Sequence, residues 1–524
     1  LRQEALSVFS QQLGAIEPAS LSSEVRLNRS MLLREINDES AAYEQGLHLM
    51  PINMRSGPQH AHGMAERLPF SSEQDYRDWL IRLRALPHRL QQYQELLTEG
   101  MAKNRVQAAI IIQRVPEQIK RVVTATPEAS PFYKAFAEIS GNIDPAVAKA
   151  FQAEAKTVIK DQLNPAYRDF GAFIKGSYLP ASRPEPGIGS LEGGKAAYRF
   201  LVQHFTTTDL SPEAIHQIGL DEVARLKTEM DVIKNSVGFE GDLKAFFAML
   251  RDSKDDQRHY YPDTDEGRQA YIDDATSAIE NIKAKLATYF GILPKADLEV
   301  RRVEPFREQP GAAQHYFPGT PDGSRPGIYY AHLSDMTAMP KGELEVIAYH
   351  EGLPGHHMQI AIQQELESVP TFRTQAGFTA YSEGWGLYSE LLAKEMEGTY
   401  ADPYSDFGRL GSEIWRAIRL VLDTGLHAKG WTEEQAVQYF LDNSAITEAQ
   451  ARSEVQRYMV LPGQATSYKI GMLKILELRE KAEQALGDKF DIRGFHDAVL
   501  GGGAVPLSVL ETMVDQWIAR VQMG

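Results

Sequence analysis

Apolar residues recur at three- and four-residue spacing along most of the chain, as in Asp221 to Lys234 (DEVARLKTEMDVIK) and Gly471 to Ala485 (GMLKILELREKAEQA). That period puts them on one face of a helix, so the pattern predicts a mainly α, multi-helix fold. It breaks at Tyr178 to Gly194 (YLPASRPEPGIGSLEGG), where prolines without an amide donor and conformationally free glycines argue against both helix and central strand. A boundary is expected there, between an N-terminal helical region over 1–190 and a second helical region over 191–524. Between Val300 and Leu333 the runs VRRV and GIYYAHL, β-branched and aromatic and bounded by Pro and Gly, predict short strands near 297–333. Helices resume after Pro340, with interruptions at Pro462-Gly463 and at Gly501 to Gly503, and no fixed-period repeat is present.

Composition narrows the functions. The 524 residues carry 55 Lys plus Arg against 71 Asp plus Glu, a formal charge of -16, which repels nucleic acid and anionic membrane surfaces. Nucleic acid is therefore not an expected partner. No run approaches the roughly 18 apolar residues of a spanning helix, so no transmembrane helix is expected. The chain starts at Leu1 without a basic-then-apolar leader, which reads as a mature form whose address has been removed, a lipid anchor being one candidate. With no cysteine, disulfides, thiolate nucleophiles and Cys-based zinc sites are excluded, and any metal must be held by His, Asp or Glu. Gly189 to Lys195 (GSLEGGK) has phosphate-loop spacing, but Ala196 stands where a Ser or Thr must reach magnesium, so no nucleotide is expected.

The chemistry concentrates in Glu343 to Gln359 (ELEVIAYHEGLPGHHMQ). Leu344, Val346, Ile347, Ala348 and Tyr349 make this helix apolar on most of its circumference, and His350 and Glu351 are driven into the same environment. A buried carboxylate needs a cation, a strong donor or a proton. His and Glu side by side suggest the H-E-x-x-H zinc arrangement, yet Pro354 occupies the position of the second His. On a straight helix the six-residue step to His356 turns about 240°, and the seven-residue step to His357 adds roughly 10 Å, so neither pair could share one ion. Pro354, with Gly352 and Gly355, should break the helix and fold His356 back beside His350. His356 is thus the expected second ligand and His357 the fallback. On Phe378 to Met396, Ala380, Glu383, Leu387, Glu390 and Leu391 share a face, with Gly384 and Gly386 expected to let this helix approach the metal-bearing one. Glu383, 27 residues beyond His356, is the expected third ligand, and Glu390 a candidate to orient a ligand histidine.

The stretches HEGLPGHH and YSEGWGLYSE, together with Gly193 to Leu220, Arg457 to Gly471 and Phe495 to Glu511, resemble the bacterial family called domain of unknown function 885, with its HExxPGH signature and many predicted lipoproteins. That family in turn resembles the mainly helical gluzincin metallopeptidases. The resemblance implies an oligopeptidase-like fold with a deep cleft and one Zn2+ per chain on His350, His356 and Glu383, with Glu351 as catalytic base. Tyr468 is the leading candidate to stabilise an oxyanion, with His496 and Tyr458 as weaker ones and Arg457 as a clamp for a substrate carboxylate. The strand Gly327 to Leu333, with Tyr329 and His332, is expected to offer its edge to an extended peptide, as in gluzincins. The expected function is a zinc-dependent metallopeptidase acting on short peptides at the bacterial envelope, in the periplasm or on a lipid anchor. Its rivals are an amidase or esterase using the same residues and a catalytically silent envelope lipoprotein. An iron centre with the same ligands ranks below zinc, because Glu351 suits hydrolysis. Oligomeric state is not readable from the sequence.

Overall fold

Ser72 accepts from the Asp75 amide while the Asp75 side chain reaches back, and this capping box starts helix Glu73–Ala102. Its buried face, Tyr76, Trp79, Leu80, Leu83, Leu90 and Leu97, packs with Ile119, Phe151, Val158, Tyr167 and Phe170 in one apolar core. This is the centre of the smaller of two units, built from Leu1–Leu6, Asp38–Ala197 and Lys429–Thr432. The computed structural model describes residues 2–305, 308, 313–367 and 369–524. The fold is mainly helical with one small sheet.

The larger unit comprises Ser7–Asn37, Tyr198–Ala428 and Glu433–Gly524. The region expected over 1–190 is therefore not one body. Ser7–Asn37 belongs with the larger unit, where the buried Arg373 donates through Nη1 to Asn28 Oδ1 at 2.8 Å. The chain passes between units at Ala197, and Tyr178 to Gly194 is largely irregular as its composition demands. Its first residues are an exception: Leu179–Ala181 continues the helical run of Asn164–Phe173 and Ile174–Tyr178, which ends one residue beyond Pro180.

Two helix pairs frame the larger unit. Pro212–Ser236 runs along Pro403–Ala428, and Thr379–Lys394 along Ser467–Leu486. The second pair is very close, since a methyl group on Gly384 would lie 2.5 Å from the Gly471 Cα. Gly384 therefore serves this contact and not, as expected, the approach of the metal-bearing helix.

The sheet contains β1 (Leu298–Arg302), β2 (His315–Phe317) and β3 (Gly327–Ala331), in the order β1-β3-β2. β1 pairs with β3 in parallel and β2 with β3 antiparallel, His315 standing opposite Tyr330 and Phe317 opposite Ile328. This corrects the expectation for Gly327 to Leu333: the strand is central, bonded on both sides, and has no free edge for a peptide. β1 and β2 are the two outer strands, and β2 is the one that the sequence pattern did not reveal.

Candidate metal centre

The apolar helix Leu344–Glu351 delivers His350 to a position only 5% exposed. The helix stops at Glu351, turns through Gly352 (φ −99°, ψ −118°) and Gly355 (φ −77°, ψ −127°), and restarts as His356–Gln364. The chain folds back so tightly that a Cβ on Gly355 would stand 2.0 Å from the His350 carbonyl oxygen. Helix Thr379–Lys394 holds this turn from outside, where Trp385 Nε1 donates to the Pro354 carbonyl at 2.8 Å. The same helix passes against His350, since a Cβ on Gly386 would meet the imidazole Cε1 at 2.7 Å. Only a glycine leaves the ring in place.

The outcome is a three-residue cluster, His350, His356 and Glu383, whose ligand atoms all lie within 4.8 Å of one another. His350 Nε2 and His356 Nε2 each stand 3.5 Å from Glu383 Oε2, with the two rings nearly perpendicular at 87°. Ligands about 2.0–2.1 Å from a tetrahedral zinc ion are about 3.3–3.5 Å apart, so this spacing, long for a direct hydrogen bond, fits an ion among the three. His350 Nδ1 lies 2.7 Å from Glu390 Oε1, which fixes the ring with Nε2 towards the cluster, where it would be the ligand atom once its proton is displaced by a cation. The donors, their distances and the cradle at Gly386 fit a divalent cation.

Electrostatics agree. Burial opposes charge on His350, but the neighbouring Glu383 and Glu390 carboxylates outweigh it and raise the imidazole to about 10. Burial likewise opposes charge on Glu383, yet the two imidazoles hold it well below the carboxylate range. The cluster thus retains positive charge beside its carboxylates even as the bare protein. Glu390→Gln is expected to weaken zinc binding about 10–100-fold, measured by competition with a chromogenic chelator, because an amide cannot hold the His350 ring with the same polarity. Unchanged affinity would reduce Glu390 to a structural pair.

Glu351 is not among the three. Its Oε2 accepts from the backbone N–H of Tyr316 in β2 at 2.9 Å. The Tyr316 hydroxyl in turn donates to His357 Nδ1 at 3.0 Å, and His357 Nε2–H donates to the Ala296 carbonyl at 3.1 Å. Burial pushes His357 down to about 4, leaving it neutral and able to play both parts. The fallback ligand is thereby corrected: both nitrogens of His357 are occupied, Nδ1 by Tyr316 of β2 and Nε2 by the Ala296 carbonyl just before β1.

The remaining candidates divide by burial. Tyr329 is fully buried with its hydroxyl 2.9 Å from that of Tyr271, so its side chain does not reach a substrate. His496 is fully buried between the Tyr289 carbonyl (2.7 Å) and the Tyr388 hydroxyl (2.9 Å), and burial pushes it down to about 3; it is a packing group, not an oxyanion donor. Tyr458 is also fully buried, its hydroxyl donating to Glu454 Oε2 at 2.9 Å. These three are corrections to the expected substrate contacts. His332 is partly buried, its ring 5.3 Å from that of His315 on the sheet. Tyr468 is partly exposed, and its phenol is held above its ordinary value by burial and then by the nearby Glu383 carboxylate, with Arg419 and Arg457 opposing. Arg457 lies beside it, donating through Nη1 to Gln464.

The chain belongs to the family described as bacterial protein of unknown function (DUF885), which matches residues 2–514. A crystal structure of a “putative lipoprotein” from Colwellia psychrerythraea is similar with TM-score 0.92 and 32% identity, covering 99% of this chain and 90% of that one. A second “putative lipoprotein” of unknown function, from Shewanella oneidensis, shares the fold with TM-score 0.74 at 18% identity, covering 98% of this chain and 91% of that one. A search of the curated proteins finds no match. Among the described residues no helix is long and apolar enough to cross a membrane.

Proposed function

We propose that this chain is a zinc-dependent hydrolase of peptide bonds in small substrates, with a gluzincin-like centre. The observation that carries the reading is the convergence of His350, His356 and Glu383, with Glu351, adjacent in sequence to the first ligand, held outside the ligand set. When bound, zinc would polarise a substrate carbonyl and acidify a water molecule. Tyr316 N–H fixes Glu351 through Oε2, and Oε1 is the atom proposed to take the proton from water and return it to the leaving amine. Tyr468, kept protonated by its surroundings, is proposed to donate to the oxyanion. Of the two outer strands, β2 is the one whose Tyr316 touches Glu351, and it replaces β3 as the strand proposed to lie beside an extended substrate.

The Colwellia neighbour's description supports a proposed location on a lipid anchor at the bacterial envelope. The experiment is a panel of peptides, N-acyl amino acids and esters offered to zinc-loaded protein. Peptide cleavage that stops with chelator and returns with zinc is expected. Turnover of esters alone would favour the esterase alternative, and no turnover of any substrate would favour the silent lipoprotein.

A further inference from the structure

We infer that the substrate carries a free C-terminal carboxylate, held by Arg419 and Arg457 beside Tyr468; this rests on the hydrolase reading for its chemistry but not for its binding site. Helix Pro403–Ala428 carries Arg419 among the buried Ile418, Leu420, Val421 and Leu422, and the arginine itself is only 8% exposed. Its Nη2 donates to Glu454 Oε2 at 3.2 Å and its Nε to the Tyr458 hydroxyl at 3.3 Å. Its Nη1 is buried without a hydrogen-bond partner. Arg457 shares the same Glu454 Oε2 through Nε at 3.3 Å and donates through Nη1 to Gln464 Oε1 at 2.8 Å, while its Nη2 is also buried and unpartnered.

Two guanidinium groups thus divide one carboxylate. Asp423 lies within the field of Arg457; its Oδ1 is occupied by the Tyr198 hydroxyl and the Gly463 amide and its Oδ2 is buried without a hydrogen-bond partner, so it meets neither unused nitrogen. The pair therefore keeps two unused donors on two positively charged groups that share a single Glu454 oxygen. Such charge is costly to bury unless an anion completes it, and a carboxylate is the planar acceptor that guanidinium donors fit.

Position ties this charge to the metal centre. The Arg419 guanidinium carbon lies 4.5 Å from the centroid of the Tyr468 ring, so the arginine sits on the face of the proposed oxyanion donor. The phenol of Tyr468 lies in the field of both guanidiniums and of the ligand Glu383. Arg457, Gln464 and Tyr468 are each partly exposed, so the group borders solvent on that side, and a ligand reaches the two buried nitrogens by displacing what covers them. A carboxylate held here sets a scissile bond near the C-terminus of a short peptide, which makes the enzyme an exopeptidase at that end.

The test is equilibrium dialysis of zinc-loaded Glu351→Gln protein against a pool of N-acetylated tripeptides with free C-termini and the same pool C-terminally amidated, some members carrying Asp or Glu side chains. The acids should be retained at least about tenfold better than the amides, whatever their side chains. Arg457→Gln should abolish the preference and Arg457→Lys should keep part of it; Arg419→Gln, more deeply packed, is scored only if its melting curve remains cooperative. Equal retention of acids and amides, retention of neither, retention of amides that follows their acidic side chains, or a preference that survives Arg457→Gln would each overturn the inference. Zinc content and turnover by the native protein are read separately. Peptides cleaved without regard to their C-terminus would sink the carboxylate site and leave the hydrolase standing, whereas an acid preference without any cleavage would do the reverse.

Discussion

Glu351→Gln is expected to lower kcat for peptide hydrolysis by about 10²–10⁴-fold while the protein still binds zinc. The size follows from the role: an amide of the same shape cannot take a proton from water, so the loss is that of a positioned general base. The selectivity follows from the geometry. Glu351 is outside the group of His350, His356 and Glu383, so removing its charge leaves all three donors in place. The glutamine carbonyl can still accept from Tyr316 N–H, the bond that Glu351 Oε2 now makes, so β2 has no reason to move. Turnover of the best peptide found, read beside zinc by elemental analysis, checks both halves. Undiminished turnover would remove Glu351 from the mechanism, and loss of zinc would place it among the ligands.

The meeting of His350 with His356 was legible because its signals are local. A histidine and a glutamate on an otherwise apolar helix, a proline where the second histidine should stand, and glycines around it are all read within eighteen residues of chain, and the break they demand is the one observed between Glu351 and His356. Glu383 and Glu390 were legible through helical register, seven residues apart on one face, and they do reach His350 by its two different nitrogens. What escaped is what depends on contacts between distant segments. β2 is three residues long, too short to show alternation, and it bonds Glu351 through a backbone N–H that any residue would supply. The order β1-β3-β2 follows from pairing that no run of residues encodes by itself, so the central strand passed for an edge. Tyr329, His496 and Tyr458 have the right side chains for chemistry, and only their full burial shows them to be packing groups. Arg419 did leave a trace, a cation within IRLVLD on a deeply apolar helix, and its meaning required seeing Glu454 shared with Arg457.

His356→Ala and Glu383→Ala are each expected to weaken zinc binding by about 10²–10³-fold, whereas His357→Ala should keep its zinc. A four-ligand structural zinc site is worth about 10–16 kcal/mol, or about 2.5–4 kcal/mol for each ligand, and about 1.4 kcal/mol is tenfold in affinity. The contrast between neighbouring histidines is the sharper part of the prediction, since both are buried or nearly so and both lie on the first turn of His356–Gln364. Their rings differ in what they meet. His356 Nε2 stands 3.5 Å from Glu383 Oε2, while His357 spans the Tyr316 hydroxyl and the Ala296 carbonyl. Removing His357 leaves those two polar groups without their partner, a cost of about 1–3 kcal/mol that should appear as a lower melting temperature. It also frees β2, so the N–H on Glu351 is held less firmly and kcat should fall modestly with zinc content unchanged. Zinc lost from His357→Ala and kept by His356→Ala would move the second ligand by one residue and require the helix after the break to be rotated by about 100° from the arrangement described.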